Sequence, residues 1–338
     1  MAHKTINNVS IKAISAALPT HSMGQNEFAN LYGLKEAARV ARGTGIKAIR
    51  TADGLSTQAL IVAAVTQLID NIDISLSDID ALVVVTQTPD SWTPGTAFAV
   101  HSELGLNEGC YVTTINDGCA GYVNGLVQAT SLISSGVYKN VLLCTGDINT
   151  RLVDDSDYQV RMLFGDAASA TLIGEGEDSV SYISGTDGGG KDLLGVKVSY
   201  GKTEENSARV KTLQMDGAAV MSFALKRVPE VVGNLLKGKG LSKEQIDLFV
   251  LHQPNEFILK YLVNLLEVEP TKVPIDVNGI GNTNSSSIPL LLARRYKVEG
   301  TKNNIILCGF GVGLAWNAMH VNLSDTRFIA PVEISAVA

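Results

Sequence analysis

Residues 76–87 read LSDIDALVVVTQ, and residues 241–253 read LSKEQIDLFVLHQ. Both runs begin with Leu-Ser, contain an Ile-Asp pair and continue as an apolar stretch that ends at a polar residue followed by Gln. A second pair, residues 140–146 (NVLLCTG) and 304–309 (NIILCG), follows in the same order. The offsets are 167 residues (247 − 80) and 164 residues (304 − 140), close to half of the 338-residue chain. We therefore infer an internal duplication, with halves at residues 1–175 and 176–338.

The two halves share a coarse order of elements. A helical pattern at residues 60–69, and again at 220–236, precedes the apolar strand, and a second one at 97–104, and again at 257–266, follows it. This alternation predicts an α/β fold with mostly parallel sheets covered by helices on both faces. In such sheets, ligands bind at the carboxyl ends of strands. The polar, glycine-rich residues 187–209 near the junction predict an excursion and linker, because no P-loop spacing follows them.

The composition excludes several classes of function. Hydrophobic residues make up 45% of the chain and charged residues 18%, which indicates a large buried core. The net charge of −7 offers no basic surface for nucleic acid. The four cysteines lack zinc-ligand spacing and do not suggest a disulfide scaffold. The chain starts without an apolar signal region and has no run of membrane-spanning length, so we expect a soluble, cytoplasmic protein.

Cys119 lies in the run INDGCAGY (residues 115–122), between a strand pattern at 111–115 and a helical pattern that ends near Ser134. The thiolate is the nucleophilic form of cysteine, and the start of a helix favours the anion, so we expect a lowered pKa. Small neighbours on both sides would let a substrate approach the sulfur. The alternative is a buried structural cysteine.

Two further polar residues follow predicted strands. His252 comes directly after the apolar residues 248–251, and Pro254 ends that strand. Asn282 lies in the polar turn NGIGNTNS (residues 278–285). Taken alone, His252 is compatible with a buried structural histidine and Asn282 with a turn residue. A duplicated fold would bring both to one cleft with Cys119.

The order Cys, His, Asn also occurs in cysteine proteases of the papain type. Three features argue against that class. Cys119 lacks the Cys-Gly-Ser-Cys-Trp surroundings, it lies deep in the chain, and the duplicated α/β pattern is a different architecture.

Several short runs around these residues carry a family signature: Cys119-Ala120-Gly121, His252-Gln253-Pro254-Asn255, Gly281-Asn282-Thr283 with Ile288-Pro289, residues 309–316 (GFGVGLAW), Phe164-Gly165-Asp166-Ala167-Ala168 and Thr44-Gly45-Ile46. In them the sequence resembles the β-ketoacyl-acyl-carrier-protein synthase III family of the thiolase superfamily. The resemblance extends from about residue 11 to residue 321. It implies the thiolase fold, with two similar βαβαβαββ-type halves in a five-layered αβαβα arrangement, usually as a homodimer.

The resemblance also implies a mechanism. Cys119 would take an acyl group from acyl-CoA or an acyl carrier protein, and a malonyl thioester would lose carbon dioxide and condense with it to a β-ketoacyl product. His252 and Asn282 would donate hydrogen bonds to the thioester oxygen, and the backbone N–H groups of Cys119 and Val312 would form the oxyanion hole. No cofactor or metal is implied beyond CoA or phosphopantetheine thioesters as substrates. Retention of Asn282 favours carbon–carbon condensation. The alternatives are an O- or N-acyltransferase on the same fold and a non-catalytic partner subunit.

The chain departs from the housekeeping members of that family. The Asp-Glu-Trp segment expected before Thr44 is absent, and Phe257 stands where an arginine is expected. Since Phe cannot make a charge-assisted phosphate contact, we favour a specialised pathway over fatty-acid initiation. We expect the substrate pocket to include Trp92, Phe223, Phe257 and Gly311. Trp92 lies in the loop that reaches across the dimer in relatives, so we hypothesise that it limits acyl-chain length; the alternative is simple packing at the dimer interface.

Overall fold

The computed structural model describes residues 3–199, 209–210, 212–296 and 304–336. The predicted linker at 187–209 lies partly outside these residues, at 200–208. Its described part forms a 3₁₀ turn at Gly188–Gly190 and two short strands.

The helices in these residues are α1 (Gln25–Tyr32), α2 (Leu34–Thr44), α3 (Thr57–Ile69), α4 (Thr96–Leu104), α5 (Gly121–Ser134), α6 (Tyr158–Arg161), α7 (Gly217–Lys239), α8 (Glu256–Leu266) and α9 (Ser287–Arg295). The strands are β1 (Lys4–Pro19), β2 (Ser22–Gly24), β3 (Ala48–Arg50), β4 (Ala81–Val85), β5 (Tyr111–Ile115), β6 (Asn140–Asp147), β7 (Ala167–Thr186), β8 (Leu194–Gly195), β9 (Val198–Ser199), β10 (Arg209–Val210), β11 (Gln214–Met215), β12 (Leu248–Leu251), β13 (Ile305–Gly311), β14 (Ala315–Val321), β15 (Arg327–Phe328) and β16 (Val332–Ile334).

The predicted helices are confirmed as α3, α4, α7 and α8, and the predicted strands as β4, β5, β12 and β13. Local side chains explain two of the helix starts. The Ser56 hydroxyl accepts from the Ala59 N–H at α3, and the Asn255 side chain accepts from the Ile258 N–H at α8. Each cap satisfies a backbone donor that the first turn leaves unpaired.

The strands are hydrogen-bonded in the order β12-β13-β14-β7-β6-β4-β5, with β1 beside β7. The pairing pattern recurs on both sides of β7. In the first half, β4 and β6 are parallel, and β6 is antiparallel to residues 167–174 of β7. In the second half, β12 and β13 are parallel, β13 and β14 are antiparallel, and β14 is antiparallel to residues 181–186 of β7. The division between residues 175 and 176 falls inside β7, between these two stretches, and stays a prediction.

The expectation of mostly parallel sheets was wrong for the middle of this network. There β7 runs antiparallel to β1, β6 and β14, and β13 runs antiparallel to β14. β13 and β14 are antiparallel because the connection between them is short. Only three residues separate the end of β13 from the start of β14, whereas a parallel crossover needs a dozen or more.

The strands separate three hydrophobic layers, because successive side chains of a strand point to opposite faces. In β4, Val83 and Val85 pack with α5 and α9 in the middle layer, whereas Leu82 and Val84 pack with α3 and α4. β12 alternates in the same way: one set of its side chains faces the middle layer and the other faces α7 and α8. Three helical layers around two layers of strands form the αβαβα arrangement.

No helix in the described part of the chain combines the length and the hydropathy of a membrane-spanning segment.

Candidate active site

Cys119 lies between the end of β5 and the start of α5, with 6% of its surface exposed. The end of β13 passes directly over it. A Cβ atom on Gly311 would lie 2.6 Å from the Cβ and 2.7 Å from the Sγ of Cys119, closer than real Cβ contacts allow. Gly309 lies against Ala120 in the same way, since its Cβ would be 2.8 Å from the Ala120 Cα. The glycines of the GFGVG run therefore let the strand approach Cys119.

Burial raises the pKa of the Cys119 thiol to about 12, and the negative charges of Asp117 and Asp147 add to this increase. The backbone N–H groups of Val312 and of Cys119 itself act in the opposite direction by hydrogen-bonding the sulfur. The expected lowering of this pKa was wrong for the resting site. Helix α5 begins only at Gly121, and in a buried site the loss of hydration outweighs the helix and the N–H donors.

His252 follows β12 and is 1% exposed. Its Nδ1 lies 2.7 Å from the Ser287 hydroxyl oxygen, and its ring packs edge-on against Phe310 with the ring centroids 5.4 Å apart. Burial lowers the pKa of His252 to about 3, while a hydrogen bond with the Asn284 backbone opposes the shift. At neutral pH the imidazole is therefore uncharged and remains able to donate one N–H.

Asn282 is 4% exposed, and both its backbone N–H and its backbone carbonyl are hydrogen-bonded. Its backbone N–H donates to the Leu163 carbonyl at 2.8 Å, and its own carbonyl accepts from the Gly165 N–H at 3.0 Å. The side-chain Oδ1 accepts from the Asn284 N–H at 2.9 Å. Because the amide oxygen is held in this way, the side-chain NH₂ is the group that Asn282 can offer to a substrate.

The Phe-Gly-Asp run at residues 164–166 supports the Asn282 turn. A Cβ on Gly165 would lie 1.9 Å from the Ile280 carbonyl oxygen, so only glycine fits there. The buried Asp166 carboxylate accepts hydrogen bonds from the Ala52 N–H at 2.7 Å and from the Thr150 N–H and hydroxyl at 3.0 and 2.6 Å. This run therefore has a structural function in positioning the turn.

Asn284 was missed by the sequence reasoning, although it contacts most of the site. Its backbone holds Asn282 and His252, and its side chain donates to Gln87 Oε1 at 3.3 Å. Its φ of 53° is in the left-handed region, where Asn is more common than most residues. The second Asn within the turn GNTN was the available signal.

The remaining predicted residues fall into two groups. Gly311 and Val312 lie against Cys119. Phe223 on α7 packs edge-on against Trp316, with the ring centroids 5.7 Å apart. Trp92 is 67% exposed, and Phe257 is 44% exposed on α8, where it contacts Tyr261. The roles of Trp92, Phe223 and Phe257 in a substrate pocket stay predictions.

Comparison with known proteins identifies the family of this site. Residues 114–188 match the family model described as 3-oxoacyl-(acyl-carrier-protein) synthase III, and residues 236–323 match the model of its C-terminal part. The chain is 32% identical over 296 residues to the β-ketoacyl-(acyl-carrier-protein) synthase III of Streptococcus gordonii, covering 84% of this chain and 90% of the relative. The chain belongs to the β-ketoacyl-(acyl-carrier-protein) synthase III family. The two matched segments contain Cys119, His252, Asn282 and Val312.

Solved structures place this synthase in the same fold. It superposes on a 3-oxoacyl-(acyl-carrier-protein) synthase from Burkholderia xenovorans with a TM-score of 0.92 and 30% identity, covering 98% of this chain and 99% of that one. It is also similar to the priming β-ketosynthase of the R1128 polyketide biosynthetic pathway, with a TM-score of 0.85, 26% identity and 97% of each chain covered. The predicted thiolase fold is confirmed.

Proposed function

We infer that this synthase transfers an acyl group from a CoA or carrier-protein thioester to Cys119 and condenses it with a malonyl thioester to a β-ketoacyl product. The observation that carries this proposal is the arrangement around the sulfur. Two backbone N–H groups point at the Cys119 sulfur, and two neutral donors are held in place beside it, His252 by the Ser287 hydroxyl at its Nδ1 and Asn282 by the Asn284 N–H at its Oδ1.

In the first step, the Cys119 sulfur attacks the carbonyl carbon of the acyl thioester. A carbon–sulfur bond forms to the protein, and the bond to the CoA or phosphopantetheine sulfur breaks. Because the pKa of Cys119 is about 12, its proton must leave during the attack, and it finally resides on the departing thiol. The N–H groups of Cys119 and Val312 stabilise the oxyanion that forms on the carbonyl oxygen.

In the second step, the malonyl thioester loses carbon dioxide. The electrons of the broken carbon–carbon bond move onto the thioester oxygen, where His252 and Asn282 donate hydrogen bonds. The resulting carbanion attacks the acyl carbon, a new carbon–carbon bond forms, and the Cys119 sulfur leaves as a thiolate that takes a proton from water. A neutral His252 suits this step, because a cation would also stabilise the malonyl carboxylate and so oppose its departure.

We also propose that the reaction belongs to a specialised pathway. Phe257 and Tyr261 form an exposed aromatic pair on α8, with ring centroids 4.8 Å apart, where the family resemblance leads us to expect an arginine. The structural similarity to a priming ketosynthase from a polyketide pathway supports the same proposal.

We further propose a homodimer. Strand β5 ends the row of paired strands, so one of its edges is unpaired within the described chain. Exposed aromatic residues lie on β5 and on the segment that precedes it: Tyr111 on β5 is 45% exposed, Phe98 on α4 is 53% exposed, and Trp92 in the loop before α4 is 67% exposed. An apolar sheet edge of this kind suits a second copy of the chain, because pairing two edges satisfies their backbone groups.

Intact-mass analysis with a panel of acyl-CoAs, followed by malonyl-CoA, tests the proposed reaction. We expect an acyl adduct on the wild type and on Cys144→Ala, a control at another buried thiol, but not on Cys119→Ala. Malonyl-CoA should discharge the adduct to a β-ketoacyl product. Discharge by alcohols or amines alone would identify an O- or N-acyltransferase instead, and the absence of any adduct would indicate a non-catalytic subunit.

A further inference from the structure

Two amide side chains meet beside the nucleophile, one from each half of the chain. Gln87 follows β4, and Asn284 lies two residues after Asn282. The Asn284 Nδ2 donates to the Gln87 Oε1 at 3.3 Å. We refer to these two residues as the amide pair.

The amide pair lies against the residue that precedes Cys119. A Cβ atom on Gly118 would lie 2.4 Å from Gln87 Oε1 and 3.0 Å from Asn284 Oδ1. The same atom would lie 2.3 Å from the Cγ1 of Val312, whose N–H contacts the sulfur. The amide pair therefore borders Gly118, the residue next to the acyl-carrying Cys119.

The hydrogen bond between the two amides uses only part of their capacity. Among the described residues, Gln87 Nε2 and Asn284 Oδ1 have no hydrogen-bond partner. Neither atom is among the unpartnered polar atoms that are fully buried. Both atoms therefore keep some accessible surface, although Asn284 as a residue is only 5% exposed. The amide pair thus has one donor and one acceptor left unpaired, and a hydroxyl group can pair with a donor and an acceptor together.

The surrounding charge distinguishes a hydroxyl from a carboxylate. Asp117 acts on Cys119 as a negative charge, and so does Asp147 in its ionised form, although burial raises the pKa of Asp147 to about 7. Asp147 is fully buried and accepts from the Gln87 N–H at 2.8 Å, so it lies directly behind the amide pair. An acyl group that carried a carboxylate at this place would be repelled, whereas a neutral hydroxyl would not.

We propose that the amide pair selects acyl thioesters with a hydroxyl on carbon 2 or carbon 3, over acyl groups without one. This inference rests on the proposed acylation of Cys119. A site that hydrogen-bonds a substrate hydroxyl disfavours the analogue that lacks it, because its own polar atoms then stay unpaired.

The test compares kcat/KM for Cys119 acylation by butyryl-CoA, 2-hydroxybutyryl-CoA and 3-hydroxybutyryl-CoA. We expect the wild type to prefer one of the two hydroxylated thioesters by about tenfold or more. Gln87→Leu keeps the approximate size of the side chain without its amide and should abolish that preference. Gln159→Leu, an exposed glutamine on α6, serves as the control and should keep it.

Asn284→Gly provides an independent variant if Gln87→Leu does not fold, because glycine tolerates the left-handed backbone of residue 284. It should lower the preference as well. Equal use of the three thioesters by the wild type, a preference for butyryl-CoA, or an unchanged preference in both variants would overturn the inference. Failure of every thioester to acylate the wild type would instead refute the proposed function itself.

Discussion

At the scale of single residues, the site is built from neutral groups whose protonation is set by burial. His252 is an uncharged donor because it is buried, and Cys119 remains a thiol for the same reason. Neither property follows from residue type, since an exposed imidazole has a pKa of about 6.5 and an exposed thiol about 8.5. The Ser287 hydroxyl holds His252 at Nδ1 and the Asn284 N–H holds Asn282 at Oδ1, so both proposed donors have fixed positions.

Asn282→Ala should separate the two steps of the reaction. Acylation of Cys119 should persist, because the oxyanion hole for that step consists of backbone N–H groups. Malonyl-dependent discharge should fall by about 10²–10³, the usual effect of removing one such donor. The measurement is the adduct mass before and after malonyl-CoA. Asn278→Ala, a change at an exposed residue of the same turn, should discharge at nearly the wild-type rate; equal losses in both variants would contradict the assigned role.

The imidazole of His252 should stay neutral from pH 8 down to about pH 4.5. Its pKa in the folded protein is about 3, below the value of about 6.5 in an unfolded chain. The folded state therefore binds a proton on His252 more weakly than the unfolded chain does. His252 should lower the free energy of unfolding progressively as the pH falls below 6.5. The measurement is the ¹⁵N shifts of histidine-labelled protein, with the signal assigned by its loss in His252→Asn. A midpoint near 6.5 for that signal would refute the expectation.

At the scale of elements, α8 shows how one helix presents a buried face and an exposed face. Its capping residue is Asn255, three residues after His252, so the start of the helix lies close to the strand end that carries the histidine. Leu259 and Leu262 are fully buried, whereas Phe257, Tyr261 and Leu265 are exposed. The helical period of 3.6 residues places these two sets on opposite sides.

Leu262→Ala should lower the free energy of unfolding by about 2–5 kcal/mol, because it leaves a cavity in a fully packed layer. Leu265→Ala, at a residue with 47% of its surface exposed on the same helix, should change it by about 0.5 kcal/mol or less. Urea unfolding of both variants at one protein concentration provides the measurement. Similar effects for the two changes would show that the assigned faces of α8 are wrong.

At the scale of the whole molecule, both halves contribute to the site across the middle layer. Cys119 and Gln87 come from the first half, and His252, Asn282, Asn284 and Val312 come from the second. The residues that follow β4, β5 and β12 and the end of β13 are joined by contacts around Cys119, His252 and Asn284.

The proposed homodimer predicts a solution mass of twice the 35.8 kDa of one chain. Phe98→Glu places a charge on α4 beside the unpaired edge of β5 and should shift the protein towards the monomer, because burying that charge is unfavourable. Leu34→Glu is the control: Leu34 lies on α2 and is 78% exposed, compared with 53% for Phe98. This change should leave the dimer intact. Light scattering after size-exclusion chromatography measures both. A monomeric wild type, or the same mass for both variants, would refute the proposed interface.

The sequence alone determined the α/β class, the thiolase fold and the helix and strand positions around the site, and it predicted the three residues Cys119, His252 and Asn282. These features depend on local periodicity and on short motifs, which neighbouring residues encode directly. Only the tertiary structure decided the antiparallel middle of the strand network, the raised pKa of Cys119 and the lowered pKa of His252. It alone brought together Gln87 and Asn284, which are 197 residues apart. Burial and contacts between distant residues produce these properties, and neither can be computed from the neighbours of a residue in the chain.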